Sequence, residues 1–350
     1  MFLMAGMLMC FFAIAQQAVT ADSTLTLHSQ ILRQDRLIDI QLPKNYYNPK
    51  FAKAAYPVIY VLDGEMNFQL VAALERFDTK FMYRPHPELI VVGIRNIDRT
   101  KDFTPTPENP EDGTGKNFRT AGGAEAFLSF IEKELKPFIH RNYRTNGFDI
   151  LHGHSFGGLF TIYTLVKKAQ LFNAYISIDP SLWWDNRRVV RDAQRAFAST
   201  DYQKRSLFVA MAQEPEDIWN DKTSHSETIR KFCEEILPLN PEKNLYTYWK
   251  YYPEYDHGAV PVASTLDALK KIFDGIELPV KKVPGNPETV LQSYRKLSEK
   301  LNFNLKPEES LLYQLILYTQ QQKQTENSRI LLDYALSLYP ESSQLNQLKP

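Results

Sequence analysis

The sequence predicts an α/β fold, a mostly parallel sheet with helices on both faces, from three observations. Five short, largely apolar runs (57–62, 89–94, 148–151, 175–178 and 207–211) have the composition of strands covered on both sides. Stretches with helical spacing separate them, near 66–82, 124–139, 159–169 and 187–197. Strand alternating with helix returns the chain to the same end of the sheet at each crossover, so the strands run parallel. The chain is also large enough for such a core: 350 residues, of which 43% are hydrophobic and 13% aromatic.

The same composition excludes other classes. With 41 basic and 41 acidic side chains, there is no global charge to attract nucleic acid or an acidic lipid surface. The apolar content is too high for a disordered chain. Two cysteines, Cys10 and Cys233, build neither a disulfide scaffold nor a Cys-rich zinc site. Cys233 sits in an apolar-periodic stretch with Ile229, Phe232 and Ile236, which is the pattern of a buried small hydrophobe.

In chain order, residues 1–15 form an apolar run too short to span a bilayer, and Val19-Thr20-Ala21 gives a small-x-small pattern before Asp22. Residues 1–21 therefore read as a signal peptide, and the rest of the chain as periplasmic or secreted. Runs 25–32 and 37–42 alternate and form a hairpin, with Gln34-Asp35-Arg36 as its turn. The two-sided strands and their helices follow. Residues 98–123 interrupt them with Pro105, Pro107, Pro110, Gly113, Gly115, Gly122 and Gly123, a loop long enough to be functional. Arg95, Arg99 and Arg119 around that loop are either solvated or available to an anionic substrate. An aromatic strand at 245–251 precedes a helix at 261–273. Pro284 and Pro287 then mark a linker, so residues 22–283 are read as the catalytic domain and 284–350 as a helical extension. Its three helical segments are either an appendage offering a surface to a protein partner or extra helices packed on the main domain.

The chemistry lies in Gly153-His154-Ser155-Phe156-Gly157-Gly158. An apolar strand precedes it and a helix follows it, which is the context of a nucleophile elbow. The turn is so sharp that side chains at the flanking positions would collide, so glycine is required there. Ser155 is lifted to the C-terminal edge of the sheet, against a helix N-terminus whose N–H groups face a developing oxyanion. A serine nucleophile needs a base. Among seven histidines, His257 in Asp256-His257-Gly258 lies on the loop after the aromatic strand and is last in the chain. That satisfies the order serine, acid, histidine of hydrolases built on such sheets. The acid is expected on the loop after the 207–211 strand, with Glu214 nearest the strand end; Glu216, Asp217 and Asp185 remain open. Gly64, after the 57–62 strand, and Phe156 supply the oxyanion-hole amides. Adjacent Trp183 and Trp184 at a strand end form an aromatic wall for the acyl or aryl group of the substrate. No metal and no organic cofactor is needed.

Four segments together, 58–64, the elbow at 153–158, Pro180-Ser181-Leu182-Trp183-Trp184 and Asp256-His257-Gly258, resemble the esterase family of α/β-hydrolases. That family includes the siderophore (enterobactin and bacillibactin) esterases and esterase-D-like enzymes. The resemblance implies an α/β-hydrolase fold, Ser155 as nucleophile, His257 as base, and a small-molecule ester as substrate. The acid differs among members, and the resemblance does not choose it. After residue 283 the chain is similar to the tetratricopeptide-like extension of some members. Acyl transfer on the same fold, and a non-catalytic binder using the tail, are the competing functions.

Overall fold

The computed structural model describes residues 22–51, 54–78, 82–108, 118–213, 225–240 and 244–349. The predicted signal segment lies outside them. Eight strands form one sheet in the order β1-β2-β4-β3-β5-β6-β7-β8. They are β1 (Asp22–Ser29), β2 (Gln34–Gln41), β3 (Tyr56–Val61), β4 (Ile90–Ile94), β5 (Thr145–His154), β6 (Ala174–Ile178), β7 (Arg205–Ala212) and β8 (Leu245–Tyr252). β1, β2 and β4 pair antiparallel, and every pair from β4 through β8 is parallel. This is the mostly parallel sheet that the strand–helix alternation predicts, in the α/β-hydrolase form that the family resemblance implies.

The helices are α1 (Gly64–Asp78), α2 (Arg99–Phe103), α3 (Ala124–Phe130), α4 (Lys136–Asn142), α5 (Phe156–Lys167), α6 (Trp184–Ser199), α7 (His225–Lys231), α8 (Val260–Ile272), α9 (Glu288–Leu301), α10 (Glu309–Gln321), α11 (Thr325–Leu338) and α12 (Ser343–Asn346). A π turn at Ile131–Leu135 joins α3 to α4. The first hairpin differs from expectation. Gln34, Asp35 and Arg36 already belong to β2, and the turn falls just before them, where Arg33 takes a left-handed φ of 55°. The turn is thus set by the register, Ser29 opposite Gln34, rather than by the most polar tripeptide.

The sheet separates two apolar layers. Residues pointing to one side of the strands (Val58, Tyr60, Val92, Leu151, Tyr175, Leu207) pack with Phe127, Phe160 and Phe197 from the helices on that side. Those pointing to the other (Ile59, Val61, Val91, Ile150, Ile176, Phe208) pack with α1 and α8. Val290, Tyr294, Leu297, Leu311, Leu312 and Leu315 from α9 and α10 join this second layer. Polar ties reinforce the junction: the Glu88 N–H donates to Glu308 Oε1 at 2.9 Å, and buried Arg84 lies between the carboxylates of Glu88 and Glu308 at 3.3 and 3.5 Å. The C-terminal helices therefore share the core of the sheet. Cys233 is buried, and burial pushes its thiol up and away from nucleophilic character.

Candidate active site

Ser155 stands between β5 and α5 with φ 59° and ψ −117°, a conformation that costs a non-glycine residue of order 1–3 kcal/mol. The surroundings over-determine it. Its N–H donates to Ile178 O at 2.9 Å, and its carbonyl accepts from the N–H groups of Leu159 at 2.9 Å and Ser181 at 3.1 Å. A side chain at Gly153 would place its Cβ 2.2 Å from the carbonyl oxygen of Gly157, so only glycine lets the strand meet the helix here.

The oxyanion-hole candidates lie at the same rim. Gly64 opens α1 directly after β3, and a Cβ on it would stand 2.9 Å from the backbone of Ile94. Phe156 is the first residue of α5. Among the described residues, neither the Gly64 nor the Phe156 N–H donates to any acceptor in the chain. Asp63, beside Gly64, is fully buried and takes two hydrogen bonds from Arg99, at 2.6 and 3.1 Å; Arg99 also donates to the carbonyl of His154 at 3.1 Å. Arg95 is likewise engaged, with Asp39 at 2.7 Å. Arg95 and Arg99 thus hold the scaffold together.

His257 presents its Nδ1 to a carboxylate at 2.6 Å, and that carboxylate belongs to Asp179. Asp179 follows β6 directly, with φ 41°. It is almost fully buried, and it accepts at Oδ1 from the Ala212 N–H at 2.8 Å and at Oδ2 from both His257 and His225, the latter at 3.0 Å. Burial raises its carboxyl, but the hydrogen bonds from His225, His257 and Ala212 outweigh burial and hold it well below the usual carboxylate range. An ionised carboxylate only accepts, so each imidazole must present an N–H to it. His257 is thereby fixed as the Nδ1–H tautomer, with Nε2 free to take a proton.

The acid expected from the sequence lies one strand further on. Glu214, with Glu216 and Asp217, lies outside the described residues; the carboxylate that the described structure sets on His257 is Asp179. One signal was available, because Asp179 ends the buried run 174–178 at the edge where Ser155 ends its own. His225, which opens α7, is four-fifths buried on Asp179. The donor atoms of Asp179, His225 and His257 lie within 4.8 Å of one another. The contacts within the cluster are the two hydrogen bonds to Asp179 Oδ2.

Ser155 Oγ rests 3.3 Å from Ser181 Oγ, and among the described residues it forms no hydrogen bond with His257. His257 is nevertheless beside the elbow, its ring 4.5 Å from that of His154, the residue before the serine. His154 itself is unsuited to acid–base work: burial, then the neighbouring His257, push it down to about 3.

The two tryptophans have different environments. Trp184 is fully buried, donates from Nε1 to Thr106 Oγ1 at 3.0 Å and packs edge-on to Phe118 and Phe156. It anchors the loop between α2 and α3 instead of offering a face to a ligand. Trp183 is only partly buried, with its ring 5.9 Å from that of Phe156.

The family model described as "Putative esterase" matches residues 29–259. The ferri-bacillibactin esterase BesA of Bacillus subtilis is 29% identical over 60% of this chain and 76% of its own. The siderophore enterobactin esterase of Emericella nidulans is 33% identical over 58% of this chain and 77% of its own. The crystal structure of an IroE-like serine hydrolase from Shewanella oneidensis superposes with a TM-score of 0.82 at 32% identity, over 91% of this chain and 99% of that one.

Proposed function

The chain belongs to the esterase family, and on that premise we propose that it is a serine hydrolase of siderophore-type carboxylic esters, with Ser155, His257 and Asp179 as its catalytic residues. The observation that carries this reading is the 2.6 Å contact between His257 Nδ1 and Asp179 at the rim where the strained Ser155 elbow also ends. The substrate class follows from the siderophore esterases to which the chain is similar.

The Ser155 hydroxyl leaves Ser181 and turns to His257. As its oxygen bonds to the ester carbonyl carbon, its proton passes to His257 Nε2, and the Gly64 and Phe156 amides hold the oxyanion. Asp179 stabilises the imidazolium through Nδ1–H without taking the proton. Collapse of the tetrahedral species breaks the bond to the alkoxy oxygen, which departs with the proton from His257. Water, deprotonated by His257, then attacks the acyl-enzyme and releases the acid with Ser155 restored. Trp183 stands beside the acyl group, with Trp184 behind the wall. The apolar N-terminal segment, read from sequence as a signal peptide, supports a periplasmic or secreted enzyme.

The test is a fluorophosphonate probe followed by peptide mass mapping, beside hydrolysis of p-nitrophenyl acetate and of ferric and apo catecholate siderophores. One adduct, on Ser155, is expected, with turnover reduced by roughly 10⁴ or more in Ser155→Ala. Labelling that persists in that variant would refute the nucleophile. Hydrolysis of simple esters with none of any siderophore would refute the substrate class.

A further inference from the structure

Asp179 serves two imidazoles with a single oxygen. Its Oδ2 accepts from His257 Nδ1 at 2.6 Å and from His225 Nε2 at 3.0 Å, and the two rings stand edge to face at 82° with centroids 5.4 Å apart. His225 opens α7, with a side chain 19% exposed; His257 is 46% exposed and Asp179 only 2%. The proposed mechanism uses only one of these imidazoles. The second is held in a place where every change in its hydrogen bond is felt by the first.

We propose that His225 is a positioning residue that moderates the base: by sharing Asp179 Oδ2, it limits how strongly that carboxylate holds a protonated His257. The inference rests on the reading of His257 as base, and the sign follows from electrostatics. A carboxylate oxygen that already accepts one N–H has less negative charge to offer a second. The imidazolium at His257 is then less favoured, and the base stays free in more acidic solution. If His225 takes up a proton first, its positive charge acts in the same direction. Either way, removing His225 leaves Asp179 Oδ2 to His257 alone and strengthens its hold on the proton.

Among the described residues, the other charged groups near the pair do not reverse this sign. His154, ring to ring with His257, is neutral above about pH 3. Arg99 is committed to Asp63. Asp256, beside His257, accepts from the Ala259 N–H at 2.8 Å. On α7, Glu227 pairs with Lys231, and Arg230 lies over the ring of Tyr251 and pairs with Glu234.

Two measurements on the full chain decide it. In wild-type protein labelled with ¹⁵N-histidine, His225 should be the Nε2–H tautomer and His257 the Nδ1–H tautomer above neutral pH. In His225→Leu, which fills similar volume without an N–H, the NMR midpoint for His257 protonation and the acid limb of kcat/KM should both move up by about 0.5 pH unit or more. A limb and midpoint that stay put, or move down, overturn the proposal. So does a wild-type His225 with its proton on Nδ1, a result that stands even where the Leu variant fails to fold. The NMR midpoint needs no substrate. If it moves as expected while Ser155 takes no phosphonate, the hydrolase reading fails and the role of His225 on Asp179 survives.

Discussion

Replacing Asp179 by Asn changes almost no volume and tests the chemistry of the site directly. The orientation of the new amide follows from its neighbours. The Ala212 N–H, 2.8 Å from Oδ1, is a backbone donor and cannot change its nature, so the amide oxygen must stay there. The NH₂ then takes the place of Oδ2, facing His225 and His257, which both present N–H groups to that point in the native protein. Donor meets donor, and the imidazoles escape by moving their protons to the far nitrogens. His257 then carries its proton on Nε2, the nitrogen meant to receive the proton of Ser155. A serine–histidine pair locked in the wrong tautomer loses about 10⁴ in kcat. At 1.36 kcal/mol per decade, that is roughly 5 kcal/mol of transition-state stabilisation. The assay is steady-state hydrolysis of p-nitrophenyl acetate with active-site titration, and thermal denaturation to verify folding. The fall should appear in kcat, with KM little changed. Asp179→Asn within tenfold of wild type would refute the argument and return Glu214, or a serine–histidine pair without an acid, to consideration.

Three further outcomes are expected. Gly153→Ala forces a Cβ to within 2.2 Å of the Gly157 carbonyl, so phosphonate labelling should fall at least about 100-fold or the protein should fail to fold; wild-type labelling would contradict the steric account. Burial, then the neighbouring Glu308, push Glu88 up to about 7 in the folded protein. A raised folded-state value gives stability that is present below the unfolded range and lost as pH climbs through about 7. Glu88→Gln, neutral at every pH, should therefore match wild type in urea unfolding near pH 5 and exceed it by about 2 kcal/mol at pH 8; a gain of equal size at both pH values, or a loss at pH 8, would be inconsistent. Deleting residues 284–350 strips Val290, Tyr294, Leu297, Leu311 and Leu312 from the second apolar layer. Each buried side chain of this kind contributes roughly 1.5–3 kcal/mol, against a net stability of about 5–15 kcal/mol, so the truncated chain should aggregate; a soluble, active 22–283 fragment would show that the layer closes without them.

Local pattern and tertiary contact each determined a different part of this protein. Two-sided strands, intervening helices and the glycine-flanked Ser155 turn were legible because each is encoded within a few neighbouring residues: apolar runs, helical spacing, and the steric demand of one tight turn. His257 was legible through its place in chain order. The carboxylate that meets His257 in the structure was not, because β6 and β7 are parallel neighbours whose ends reach the same rim. A residue just after either strand can meet His257, and only the packed sheet shows that Asp179 does, braced by the N–H of Ala212 from the strand beside it. Likewise, two adjacent tryptophans look equivalent in sequence, whereas the fold turns Trp184 into the core and leaves Trp183 at the rim. The prolines after residue 283 left open whether the extension stands apart or packs on the main domain; its apolar faces join the layer under the sheet. Periodicity reports that a face is buried; which partner buries it is settled by the three-dimensional approach of segments far apart in the chain.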